Sequence, residues 1–240
     1  MNTYFCGMNI QSVQLDPLNS PHPIPWNWVT SIALGGNSAP GHYGYYRSQS
    51  LVSPNGHYAA YSRIQVQPAV HFTQSRVVSA LFLENLHTGS LQTIIASSPF
   101  ADSPLRSSAS DPAGTIAVLI PIAWSETGDR LLAREFESVF GSGLASDFAV
   151  VWDSHTNQTQ TLAPSQINHS NAILLGWSQT HPEQVLFQAG RMGDPHWNFY
   201  TVKANGQTSL ARGDRPVTYG RVTTNIWAGP QAYPQACSRP

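Results

Sequence analysis

Charge is what this sequence has least of. Only 10% of its 240 residues are Asp, Glu, Lys or Arg, against a usual share of about a quarter. Lys203 is the single lysine among twelve basic residues, and the formal net charge is −1. Such a chain offers no positive stripe to nucleic acid or to an anionic membrane surface. Long apolar runs are missing too. The longest, Ile116 to Trp124, is broken by Pro121 and falls short of the ~18 residues that span a bilayer. The first residues, M-N-T-Y-F-C-G-M-N-I, show no basic stretch leading into an apolar one. A cytoplasmic protein is expected, or a periplasmic or secreted one if the numbering starts at a mature end.

Cysteine is scarce as well. Cys6 and Cys237 stand almost at opposite ends, and neither has His or Cys partners at zinc-ligand spacing. They are either two separate reduced thiols or a disulfide joining the two ends. Catalytic signatures are also absent. Gly141-Ser142-Gly143 lacks the spacing of a nucleophile elbow. The nine histidines are dispersed, without H-E-x-x-H. Asp153 with His155 and Asp194 with His196 are pairs two residues apart, and two ligands are fewer than a metal site normally needs. No metal and no cofactor are expected. Arg212-Gly213-Asp214 reads as turn chemistry after a strand.

What is present is apolar and aromatic: 41% hydrophobic residues, with seven Trp, nine Tyr and nine Phe. This composition excludes a disordered chain, and the length suits one β-rich domain over 1–240. The pattern is that of strands. From Ile122 to Leu162, apolar runs alternate with polar turns as a four-stranded antiparallel meander would require. The same plan occurs before and after it, giving units at about 49–95, 115–163 and 171–212. Trp26 to Leu34, Tyr43 to Gln49 and Val217 to Trp227 read as further strands. No stretch shows sustained helical period.

Set side by side, Leu51-Val52-Ser53, Ala123-Trp124-Ser125 and Gly176-Trp177-Ser178 align, followed by turns at Pro54-Asn55-Gly56 and Glu126-Thr127-Gly128. The third unit has Gln179 to Glu183 there, without a glycine. Thr88-Gly89, Thr156-Asn157 and Asn205-Gly206 align as the second turn. This pattern resembles the TolB-type, WD-like β-propeller repeat. The resemblance implies an all-β, propeller-like array of four-stranded antiparallel blades, with Trp124 and Trp177 packed between them. Three blades are fewer than the about 4–8 that close a ring. The expectation is either a four-bladed ring, its last blade shared by segments 1–48 and 213–240, or an open three-bladed arc.

In that arrangement the longer connections, 63–76, 96–114, 138–147, 163–170 and 190–196, gather at one end, where binding residues usually sit. His71, Phe72, Arg76, Phe140, Asp147, Arg191, Asp194, His196 and Trp197 are the candidates there. The function expected is a non-catalytic binding or scaffold module engaging a protein or peptide partner. The alternative is a small hydrolase or lyase whose axial pocket joins Arg191, Asp194 and His196.

Overall fold

The computed structural model describes residues 16–35, 43–101 and 113–224. Cys6 and Cys237 lie outside them, as does the proposed disulfide. Three antiparallel meanders account for most of the described chain. The first comprises β1 (Gly44–Arg47), β2 (Ser50–Val52), β3 (Tyr58–Gln67), β4 (Arg76–Asn85) and β5 (Leu91–Ile94). The second comprises β6 (Thr115–Trp124), β7 (Arg130–Val139), β8 (Ala145–Asp153) and β9 (Gln158–Leu162). The third comprises β10 (Asn171–Ser178), β11 (Val185–Gly190), β12 (Asn198–Val202) and β13 (Thr208–Leu210). Two short strands follow, β14 (Pro216–Val217) and β15 (Arg221–Thr223).

Turn chemistry sets each meander. Gly56 at φ 73° closes the β2–β3 hairpin, and Asn55 Oδ1 accepts from Ser53 Oγ at 2.7 Å. Gly128 at φ 76° does the same for β6–β7, with Asp129 accepting from Ser125 Oγ at 2.6 Å. The third turn has no acidic residue of its own in this role. It recruits Asp214 from beyond β13, whose Oδ2 accepts from Ser178 Oγ at 2.5 Å. Asp214 is thus a buried turn residue rather than an exposed recognition tripeptide. Asp153 caps the β8–β9 turn through the amides of His155 and Thr156.

The propeller expectation fails. The meanders form two open sheets: a ten-stranded one ordered β15-β2-β3-β4-β6-β7-β8-β9, with β1 on β3 and β5 on β4, and a five-stranded one ordered β13-β12-β11-β10-β14. One parallel pairing, Val77 with Ile116, merges the first two meanders. No fourth blade is formed by the described residues. Trp26–Leu34 is an α-helix, α1, and Tyr43 to Gln49 contributes β1, which pairs with β3. The helix follows from spacing that β-rich composition obscured: Val29 and Ala33, one turn apart, are its buried residues.

The closing element is the tail. β14 pairs with β10, Tyr219 accepts from the Trp124 amide at 2.8 Å, and β15 pairs with β2. Within ten residues the chain therefore touches one strand of every meander: β10, β6 and β2.

The core lies between the layers. Leu81, Leu83, Trp124, Leu131 and Trp152 pack between the first two meanders. Leu132, Leu174, Trp177, Phe187 and Val202 pack between the second and third. A third cluster joins Ile24 and α1 to Ile64, Val118 and Phe136. Each such side chain contributes roughly 1.5–3 kcal/mol by leaving water.

The tail's course is tested at Gly220. Its φ is 114°, and a Cβ there would stand 2.9 Å from Trp124 Cδ1 and 3.1 Å from the Val52 carbonyl oxygen. Gly220→Ala is expected to cost about 2 kcal/mol through strain and overpacking, read from urea unfolding. A cost under about 0.5 kcal/mol, the size of an ordinary surface change, would mean that the tail does not follow this path.

Candidate functional site

An open cleft of ≈ 270 Å³ sits where the long connections gather. α1 supplies Trp26 and Leu34, the 3-10 turn before β4 supplies Phe72, the end of β7 leads into Phe140, and the loop after β11 supplies Met192. The aromatic rings form one assembly. Trp26 stacks near Phe140 with centroids 6.2 Å apart and an interplanar angle of 23°. It also meets Phe136 edge-on at 6.2 Å, and Phe72 meets Phe140 edge-on at 6.2 Å. The mouth remains apolar: Leu34 is 60% exposed, Met192 61% and Phe72 42%.

Among the described residues no Asp, Glu, Lys, Arg or His lines this cleft. Its hydroxyls are already engaged. Thr30 donates to the Trp26 carbonyl at 3.0 Å, Ser138 to that of Leu144 at 2.8 Å, and Ser142 to that of Val139 at 2.8 Å. With its hydroxyl protons committed and no charge, the cleft suits an apolar group rather than a polar reactant.

Phe72 and Phe140 are the sequence candidates that meet here. Trp26, Leu34 and Met192 were missed, the first two because their segment reads as a strand. His71 is exposed beside Phe72, and Arg76 begins β4. Trp197 donates to the Arg191 carbonyl at 3.0 Å and covers Gly190. Arg191 Nε donates to Asn168 Oδ1 at 3.0 Å. Asp194 Oδ2 accepts from the Arg191 amide at 3.2 Å, capping its own turn. His196 is exposed. Among the described residues no hydrogen bond or ion pair joins the side chains of Arg191, Asp194 and His196 to one another. Among the described residues no three or more His, Cys, Asp or Glu side chains gather as a metal site, and no helix is long and apolar enough to cross a membrane.

Asp147 belongs to a different construction. It is fully buried on β8, where its Oδ1 accepts from Arg134 Nε at 2.8 Å and its Oδ2 from the Leu174 amide at 2.9 Å. Arg134, also fully buried, donates to Asp16 Oδ2 at 2.7 Å and to the His22 carbonyl at 2.6 Å. Burial lifts the Asp147 carboxyl to about 6 against the pull of Arg134 and the Leu174 amide. Burial also works against ionised Asp16, but Arg134 and backbone amides outweigh it and hold this carboxyl below its ordinary value. Burial lowers His22, whose Nε2 lies 2.9 Å from the Leu175 carbonyl oxygen. This centre is structural: it ties residues 16–24 to both sheets.

No family model and no curated protein matches the sequence. Several solved structures are loosely similar, among them these three. A Clostridium novyi NT protein named as a conserved lipoprotein shares 14% identity at a TM-score of 0.37, over 74% of this chain and 92% of that one. A protein named glycoside hydrolase shares 10% identity at 0.37, over 76% and 60%. A third, named for an RGII complex, shares 9% at 0.37, over 73% and 58%. The present chain spans about three fifths of the latter two. Similarity this loose brings neither a fold assignment nor an activity to this chain, and none of it supports a TolB-type or WD-like repeat.

Glu135 gives the centre's neighbourhood a measurable pH signature. It is 2% exposed, its Oε2 has no hydrogen-bond partner, and burial, with Glu137 and Asp147 nearby, raises its pKa well above the ordinary value. A carboxyl raised on folding gives stability that is full below its unfolded pKa and is lost as pH rises through its folded one. Glu135→Gln is therefore expected to gain stability relative to the parent as pH rises from about 4, followed by thermal unfolding. A difference that stays constant to pH 9 would contradict the assignment.

Proposed function

We propose that this chain is a non-catalytic binding module that seats an apolar side chain of a protein or peptide partner in the cleft of Trp26, Phe72, Phe140 and Met192. The observation that carries this reading is an exposed aromatic and aliphatic recess that carries no charged group among the described residues, its serine and threonine hydroxyls donating to backbone. Aromatic-walled, largely desolvated recesses are where interface energy concentrates. The recess also sits on preformed elements: Trp26 on a helix and Phe140 at a strand end. The partner chemistry that fits is an aliphatic or aromatic anchor, such as Leu, Met or Phe, on a polar surface. Arg191, Asp194 and His196, whose side chains share no bond among the described residues, give no corresponding support to a hydrolase or lyase.

Selection of a displayed peptide library on the intact chain tests this directly. The enriched peptides should share an apolar anchor. Phe72→Ser and Met192→Ser change exposed positions and should leave unfolding nearly unchanged while weakening those peptides about tenfold. Enriched peptides that bind both variants as tightly as the parent would overturn the proposal.

A further inference from the structure

A second surface lies away from the loop end, where the two sheets face each other. A crevice of ≈ 330 Å³ opens between β8–β9 and the third meander. Its floor is apolar, with Val151, Leu162, Trp177 and Val185, and its rim carries Asp153, Gln158 and Gln160. One wall is the outermost strand of the ten-stranded sheet, β9.

Three features of β9 point to its occupant. Among the described residues its ladder is with β8 alone, and the backbone bonds made outside the strand ladders do not use residues 158–162. In an antiparallel edge strand, alternate residues then present amide and carbonyl outward without a strand partner. Its sequence, Q-T-Q-T-L, contains none of the lysine or proline with which edge strands are commonly blunted. Its alternation places Gln158, Gln160 and Leu162 along the crevice. Thr161, of the opposite parity, accepts from the Ser97 amide of the first meander at 2.7 Å.

Charge selects further. Arg130 and Glu183 neutralise each other at 2.7 Å, and Arg130 covers the Trp177 ring at 5.0 Å. That closes the indole face to a stacking ligand such as a sugar ring. Asp153 stands opposite Arg130 in the β7–β8 register, yet among the described residues the ion pair of Arg130 is with Glu183. Asp153 Oδ1 is spent on the amides of His155 and Thr156, which leaves Oδ2 available.

We propose that β9 and this crevice bind an extended peptide segment of about five residues, matched to the length of an ordinary strand, that carries one basic side chain. The segment adds to the sheet through its backbone, drops alternate side chains towards the crevice, and sets its lysine or arginine against Asp153. This site does not depend on the apolar cleft.

The test is fluorescence anisotropy with a fluorescein-labelled heptapeptide, Ser-Thr-Val-Lys-Val-Thr-Ser. Two controls accompany it: the same peptide N-methylated at alternate residues, and one with Glu in place of Lys. Asp153→Asn keeps an oxygen to cap the turn and removes the charge. The lysine peptide should bind, both controls should bind at least about fivefold more weakly, and Asp153→Asn should erase the preference for Lys over Glu. Phe72→Ser should leave binding of the lysine peptide unchanged. Equal binding of the N-methylated peptide, equal binding of the Lys and Glu peptides, or no binding at about 1 mM would overturn the proposal. Sedimentation showing β9 occupied in a dimer that Asp153→Asn does not disturb would also overturn it, in favour of a second copy.

Discussion

A single buried guanidinium holds the layers together. Arg134 sits at 0% exposure on β7, and a cation there is tolerated only when its donors are met. Asp147 on the neighbouring strand meets one edge, and Asp16 with the His22 carbonyl meets the other. Each partner then reaches further. Asp147 accepts from the Leu174 amide of the other sheet, and Asp16 accepts from the amides of Leu18, Ser20 and Ile24. The segment so fixed runs directly into α1 and sets Trp26 against Phe140. The aromatic cleft therefore depends on a buried ion pair whose Asp16 adjoins Pro17, a residue of the cleft's lining.

Around this centre the meanders repeat their joints as well as their strands. Ser97, after β5, donates its amide to Thr161 on β9 at 2.7 Å. Ser165, after β9, donates its amide to Thr208 on β13 at 2.8 Å. The outer strands are thus tied in series. β2, β6 and β10 are tied instead by one continuous segment, 214–223, which begins with the carboxylate that completes the third turn. A linear array closed by a strap leaves edge strands at its outer side, and β9 is one of them.

Much of the strand pattern was legible. Ser53-Pro54-Asn55-Gly56 and Ser125 to Asp129 specify hairpins by side-chain chemistry, and the structure forms them. The same turns suggested a propeller because they encode how two strands meet, not how sheets close. Closure depends on Val77 beside Ile116 and on Tyr219 beside Trp124, contacts across 39 and 95 residues that no local pattern records. Arg134, Glu135 and Glu137 were not singled out in the sequence. They are buried because neighbouring layers cover both faces of β7. Half of the cleft was visible as aromatic residues in connections, Phe72 and Phe140. Trp26 and Leu34 were hidden by a helix of nine residues rich in the residues that strands favour.

The dependence of α1 on Arg134 is open to one direct measurement: native-state hydrogen exchange in Asp16→Asn. The substitution keeps a side-chain oxygen for the local turn and removes the charge that faces the guanidinium. If the ion pair fixes the segment, the Val29 and Ala33 amides should exchange about tenfold or more faster, while amides of β11 and β12 keep their protection. Unchanged exchange in the helix, or equal acceleration throughout both sheets, would show that the segment is held by its apolar contacts and that Arg134 does not organise the cleft.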